Sequence, residues 1–409
     1  MNIVFRKSSL RSKERLTLSG SKSESNRLLI LQQLFPELAI TNLSNSDDVQ
    51  AMQKGLDSCD QVIDVHHAGT TMRFLTAYYA LCTNQKVELT GSLRMQERPI
   101  RVLVDALRQL GAQITYIKEE GFPPLSIEGR CVEGGRVILP ADISSQYISA
   151  LLLIGSKLPQ GITLELVGEI TSRPYIEMTL QLLQQLGCQT FFEGNNVQVV
   201  PVSAILKKEF IVESDWSSAS YFYGLIALGQ IGDEVELSFF KEDSLQGDAL
   251  ILSYFEQFGV QTTFKSNQSI IVKKVKESVS HFIANLVETP DLAQTIAVTC
   301  FGLGISCELK GLHTLKIKET DRLIALQQEL HKLGGQVKLT DDSLELLSNT
   351  FINSHVTIDT YQDHRMAMAF AILALKTSLT IKEAEVVSKS FVDFWNCLAQ
   401  LQLDFTREE

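Results

Sequence analysis

Apolar positions along this 409-residue chain fall into two helical patterns. The first is short and rich in Ala, Ser, Leu and Met, as in Gln146–Ile154, Ser217–Leu228, Ala293–Gly302 and Arg365–Leu375. Helices with so little polar surface belong inside a core. The second is amphipathic, and each copy closes on a similar tetrad: Leu110-Gly111-Ala112-Gln113, Leu186-Gly187-Cys188-Gln189, Phe258-Gly259-Val260-Gln261 and Leu333-Gly334-Gly335-Gln336. Leu401-Gln402-Leu403 is a degenerate further copy. Glycine at that point takes the left-handed conformation that ends a helix, and strand-like alternation follows. The unit reads strand, buried helix, strand, amphipathic helix, two strands. Its period of about 75 residues exceeds the 20–50 of solenoid repeats, so several units share one core.

A chain this long is expected to form two domains of about 200 residues. With 44% apolar and 21% charged residues it reads as soluble and globular. A net charge of −11 argues against general nucleic-acid binding, so clustered cations need a local reason. No apolar run approaches the roughly 20 residues of a membrane span. The start, Met1-Asn2-Ile3-Val4-Phe5-Arg6-Lys7, lacks a signal-peptide core, and a cytoplasmic location is expected. Seven scattered cysteines, without a Cys-x-x-Cys pair or a histidine at metal-like spacing, predict free thiols and no metal.

The candidate chemistry lies at helix starts. Residues 20–27, Gly-Ser-Lys-Ser-Glu-Ser-Asn-Arg, precede the apolar run Leu28–Leu31. Ser21 or Ser23 can cap that helix, and Lys22 and Arg27 add charge where backbone N–H groups already favour anions. Lys316-Ile-Lys-Glu-Thr-Asp-Arg322 and Tyr361-Gln-Asp-His-Arg-Met-Ala-Met368 repeat the device. Other polar starts fall at Gly69/Thr70, Ser144/Ser145, Asp215/Ser217 and Asp291. A core helix needs an apolar stripe but not so many donor-rich starts. An acidic body carrying such pockets suits a small anionic ligand.

These segments, with Ala68-Gly-Thr-Thr-Met-Arg73, Arg94-Met-Gln-Glu-Arg-Pro-Ile100, Ser144-Ser-Gln146, Ser172-Arg-Pro-Tyr175, Asp215-Trp-Ser-Ser-Ala-Ser-Tyr221 and Pro290-Asp291, resemble 5-enolpyruvylshikimate-3-phosphate synthases nearly end to end. The resemblance implies an α/β fold of two globular domains, each of three βαβαββ units with buried helices and outer sheets, an inverted α/β barrel type. Residues 18–211 would form one domain, 1–17 and 212–409 the other, with the active site in the cleft between them. It implies transfer of the enolpyruvyl group of phosphoenolpyruvate to the 5-hydroxyl of shikimate 3-phosphate, without a cofactor. The catalytic residues implied are Asp291, Glu319 and Lys22. Shikimate 3-phosphate would meet Lys22, Ser23, Arg27, Ser144, Ser145, Gln146, Ser172, Asp291 and Lys318. Phosphoenolpyruvate would meet Lys22, Gly69, Arg98, Gln146, Arg322, Arg365 and Lys389. Arginine suits this task because its planar fork pairs two anionic oxygens at once. Neither nucleic acid nor membrane is an expected partner, and a monomer is expected.

Three positions depart from the family pattern: His67 where Asn is frequent, Phe74 where many members have Pro, and Thr314 in place of an Asn that contacts substrate in some. One rival is the fold relative that acts on UDP-N-acetylglucosamine. Its opening motif carries Lys-Asn and its loop a reactive Cys, whereas this chain has Lys22-Ser23 and no Cys between Leu89 and Pro99. The other is a non-catalytic anion-binding relative, which loss of Lys22, Asp291, Glu319 or Arg365 would have signalled.

Overall fold

The computed structural model of the chain describes residues 1–142, 144–170, 173–266 and 268–408. They form two compact units, Gly20–Val212 and Met1–Ser19 with Glu213–Glu409. The backbone leaves the second of these after Ser19 and rejoins it at Glu213.

In Gly20–Val212 the helices Lys22–Leu34, Gly69–Leu81 and Ser145–Gly155 pack together at the centre. Two four-stranded sheets cover them. One runs Val62–Asp64, Lys86–Thr90, Leu125–Glu128, Gln113–Tyr116, and the other Gly135–Pro140, Ile162–Val167, Asn196–Val199, Thr190–Glu193. In each, the first two strands are parallel and the rest antiparallel, as a helical crossover followed by a hairpin requires. The third sheet of this unit is only a parallel pair, Ala39–Thr41 with Glu209–Ile211. Side chains alternate: Val137 and Leu139 point into the core while Arg136 and Ile138 face out.

The other unit is built on Trp216–Leu228, Ala293–Leu303 and His364–Ala371, almost wholly buried. A hydroxyl pair, Ser220 Oγ to Thr295 Oγ1 at 3.0 Å, joins the first two helices. Gly224 permits their close approach, since a Cβ there would lie 3.1 Å from Thr299 Oγ1, and it also makes room for Ile372, whose Cδ1 would lie 2.7 Å away. Three four-stranded sheets surround this core. In one of them the chain's first strand, Asn2–Phe5, lies between Leu379–Ile381 and the last strand, Phe405–Glu408.

The tetrad glycines behave as the sequence predicts. Gly111, Gly187, Gly259 and Gly334 have φ of +96°, +109°, +78° and +99°, just beyond the helices Arg101–Gln109, Arg173–Leu186, Ile251–Gln257 and Arg322–Lys332. In the degenerate copy Gln402 takes the same conformation at φ +60°. The α/β class and the repeating unit are those expected. Among the described residues no helix is long and apolar enough to cross a membrane.

Candidate active site

In Gly20–Val212, Ser21 caps the Lys22–Leu34 helix through Glu24 N–H. Lys22 Nζ lies 3.1 Å from the buried carboxylate of Asp48, whose backbone carbonyl accepts from Thr71 Oγ1 at 2.9 Å. Arg27 is 2% exposed and donates to Thr179 Oγ1, Ser23 O, Ser149 Oγ and Tyr175 O at 2.7, 2.8, 2.9 and 3.1 Å. Burial pulls its guanidinium down to about 10, against Tyr175 and Glu24. Four of its five N–H groups are therefore used within the protein. The expected contact of Arg27 with shikimate 3-phosphate has to be made with what remains.

The Gly69–Leu81 helix starts against Arg98. A Cβ on Gly69 would fall 2.7 Å from Arg98 Nη1, so only glycine lets the guanidinium lie over this helix start. Arg73, one turn on, donates to Gly69 O at 3.1 Å and Pro99 O at 3.2 Å, tying the Arg98–Pro99 segment to the same helix. Gln146 Nε2 donates to Thr70 Oγ1 at 3.0 Å, and Ser144 caps the Ser145–Gly155 helix through Gln146 N–H. This brings Gly69, Arg98 and Gln146 to one place. Ser144 is exposed and Ser145 buried. Ser172 lies outside the described residues.

The other unit holds a denser cluster. Asp291 lies in the turn Pro290–Leu292 that leads into the Ala293–Leu303 helix. Its carboxylate receives Arg322 Nη1 at 2.9 Å and Arg365 Nη2 at 2.8 Å, with Lys318 Nζ at 3.8 Å. Burial pushes this carboxyl up, but Arg365, Lys318 and Arg322 together hold it well below the usual carboxylate range. Glu319 lies between Lys389 Nζ at 3.0 Å and Arg322 Nη2 at 2.8 Å. Burial pulls the Lys318 ammonium down, and Asp291 opposes that pull.

Arg322, expected to meet phosphoenolpyruvate, is 2% exposed and gives Nε to Asp363 Oδ2 at 2.6 Å as well. Three carboxylates therefore share it here. Asp363 caps the His364–Ala371 helix through Arg365 N–H at 2.9 Å, which sets the arginine in its first turn.

Two acids escaped the sequence reading. Asp48 pairs with Lys22, and its only local signal was an Asp-Asp pair opening an amphipathic helix. Asp248 accepts from Ser217 Oγ, which also lies 3.4 Å from Arg365 Nη2. Burial and the charge of Asp291 push Asp248 up to about 7. It follows Gln246-Gly247 in a short turn that no periodicity marks.

The model of EPSP synthase (3-phosphoshikimate 1-carboxyvinyltransferase) matches residues 53–398. The chain belongs to the EPSP synthase family. It is 44% identical over 390 residues to the 3-phosphoshikimate 1-carboxyvinyltransferase of Bacteroides fragilis strain YCH46, covering 94% of each chain. With that of Vibrio cholerae serotype O1 strain M66-2 the identity is 37% over 418 residues, covering 94% of this chain and 96% of the other. The EPSP synthase structure from Acinetobacter baumannii superposes at a TM-score of 0.77 over 100% of both chains, with 22% identity. The enolpyruvyl transferase NikO from Streptomyces tendae gives 0.72 over 99% and 98%, at 12% identity. At such identities the two structures bear on the fold alone.

The departures from the family pattern now have surroundings. Phe74 is buried, with the Arg27 guanidinium 5.6 Å from its ring centre. The His67 ring meets His66 edge-on, with Nδ1 to Nδ1 at 2.5 Å, one residue before the cap of the Gly69–Leu81 helix. Thr314 Oγ1 is buried without a hydrogen-bond partner among the described residues.

Proposed function

We propose that this chain transfers the enolpyruvyl group of phosphoenolpyruvate to the 5-hydroxyl of shikimate 3-phosphate, releasing phosphate, in the biosynthesis of chorismate and the aromatic amino acids. Family membership supports the reaction. The observation that carries the chemistry is the Asp291 carboxylate, held ionised by Arg322, Arg365 and Lys318 at the head of a buried helix.

In this reading Asp291 accepts the 5-hydroxyl proton as the oxygen attacks carbon 2 of the enol, and carbon 3 gains a proton to become a methyl group. Glu319 or Lys22 supplies that proton. The methyl then returns a proton, the double bond re-forms, and phosphate leaves. Lys22, Gly69, Arg98, Gln146, Arg322, Arg365 and Lys389 are assigned to phosphoenolpyruvate. Lys22, Ser23, Arg27, Ser144, Ser145, Gln146, Ser172, Asp291 and Lys318 are assigned to shikimate 3-phosphate. Glu319 pairs with Lys389 and Arg322. Substrate anions that engage those two cations raise its proton affinity, which fits a donor armed only in the complex. Much of the remaining catalysis is positioning and charge stabilisation.

Lys22-Ser23 and the absence of Cys between Leu89 and Pro99 weigh against the UDP-sugar reaction. A cytoplasmic monomer belongs to the same proposal. Phosphate release decides it: the purified chain should liberate phosphate from phosphoenolpyruvate with shikimate 3-phosphate and not with UDP-N-acetylglucosamine. Release with the UDP-sugar, or with neither acceptor, overturns the reading.

A further inference from the structure

Asp363 and Arg365 follow a turn that their own sequence is poorly suited to make. Asp363 N–H donates to Thr360 O at 2.9 Å, closing a turn whose central residues, Tyr361 and Gln362, have φ of +55° and +56°. Turns of this hand are dominated by Gly, Asn and Asp, because a larger side chain crowds its own backbone there. Surrounding structure has to impose the conformation.

Glu329 supplies it. This carboxylate is 0% exposed, and its Oε1 lies 2.5 Å from the Tyr361 hydroxyl. Its Oε2 accepts from Asp359 N–H at 3.2 Å and Lys332 Nζ at 2.7 Å. Gln328 Oε1 lies 2.7 Å from the same hydroxyl, and Gln362 Nε2 donates to Glu383 Oε2 at 2.8 Å. A buried carboxylate is tolerated only with such a set of donors, so the contacts hold one another in place. Glu329 sits two turns beyond Arg322 on the helix Arg322–Lys332, and Arg322 grips Asp363. One helix therefore pins the turn at both ends.

We infer that Glu329 and Tyr361 are positioning residues: their hydrogen bond holds the left-handed 360–363 turn, and the turn aims the Arg365 guanidinium at Asp291 and at the anion Arg365 receives. The inference rests on the proposed function only for the identity of that anion, phosphoenolpyruvate.

Tyr361→Phe in the full chain removes the hydroxyl and keeps the ring. The KM for phosphoenolpyruvate should rise, with kcat/KM down about 10- to 100-fold, as expected for a displaced substrate-binding group. The KM for shikimate 3-phosphate and the melting temperature should stay near wild type. Adding Gln362→Asn should recover part of the loss, since Asn accepts the left-handed region. Glu329→Gln is the second variant; its amide N–H₂ faces either the Asp359 N–H or the Tyr361 O–H, whichever way it turns. Both variants should speed amide hydrogen exchange across residues 359–366. An unchanged phosphoenolpyruvate KM, or equal rises in both KM values with a lowered melting point and no rescue by Asn, overturns the inference. If wild type releases no phosphate, the functional reading falls, while the exchange rates still decide whether Glu329 and Tyr361 hold the turn.

Discussion

Asp291 receives more positive charge than one carboxylate can balance, and two experiments separate its roles. Asp291→Asn keeps the shape but cannot take a proton, so turnover should fall roughly 10²–10⁴-fold while shikimate 3-phosphate still binds. Its folded pKa lies below the unfolded value of about 3.9, so its stabilisation is complete above that pH and lost as pH falls through the folded value. The melting difference between wild type and Asp291→Asn should therefore be constant above pH 8, where Asp248 is ionised as well, and the contribution of Asp291 itself should be lost only in strong acid. Asp248 has the opposite sign. Raised from 3.8 to about 7, it favours the folded state below pH 4 and loses that contribution as pH rises through 7. Wild type should lose stability relative to Asp248→Asn by about 1.4 kcal/mol per pH unit across that window, measured by urea unfolding. Gly69→Ala would push against the far end of Arg98, a flexible group, so the fold should survive while the phosphoenolpyruvate KM rises. An unchanged KM would mean that Arg98 holds no substrate there. Lys22, Asp291, Glu319 and Arg365 were legible because their types and spacing repeat the family motif. Asp48 and Asp248 were not, because a counter-charge is chosen by three-dimensional proximity and leaves no local pattern.

At the scale of elements, the repeat was legible through its glycines, since a helix that must stop and turn into a strand needs a left-handed residue. The cost of replacing them depends on what lies beside each. Gly111 has φ +96° and nothing within 4 Å of a built Cβ, so Gly111→Ala should cost only the backbone term, about 1–2 kcal/mol. At Gly259 the same Cβ would lie 1.9 Å from Lys276 O, a backbone atom that cannot move aside. Gly259→Ala should be much worse, and equal denaturant midpoints for the two variants would contradict this account. Lys274 was not legible at all: a lysine closing the strand Ser269–Lys274 reads as surface. It is buried, and its ammonium donates to Ala227 O at 2.9 Å and Phe258 O at 2.7 Å, at the ends of two helices. It supplies donors to carbonyls that the helices leave unpaired.

Across the whole chain, the two transitions carry no composition signal because they are not linkers. Ser214 Oγ donates to Leu18 O at 2.8 Å, and Asp215 N–H to Ser19 O at 3.3 Å. On the other side, Asn42 Nδ2 donates to Val212 O at 2.7 Å. Chain held in ordered backbone contacts needs no glycine or serine run. Gly20 and Val212 are neighbours as well, since a Cβ on Gly20 would meet Val212 Cγ1 at 2.8 Å. A segment whose ends adjoin and whose core is its own should fold by itself. Residues 20–212 expressed alone should unfold in one cooperative transition; a broad, non-cooperative melt would show that the excised segment needs the rest of the chain.

The pairing of Asn2–Phe5 with Phe405–Glu408 has a consequence during synthesis. Asn2–Phe5 leaves the ribosome long before Phe405–Glu408, the strand that takes one of its edges. At roughly 5–20 residues per second, Ile3 and Phe5 wait on the order of 20–80 s for that neighbour. Gly20–Val212 can close its core long before then. Until Leu379–Ile381 emerges to take its other edge, the nascent chain carries an apolar strand with no sheet to join, which is the form of segment that chaperones hold.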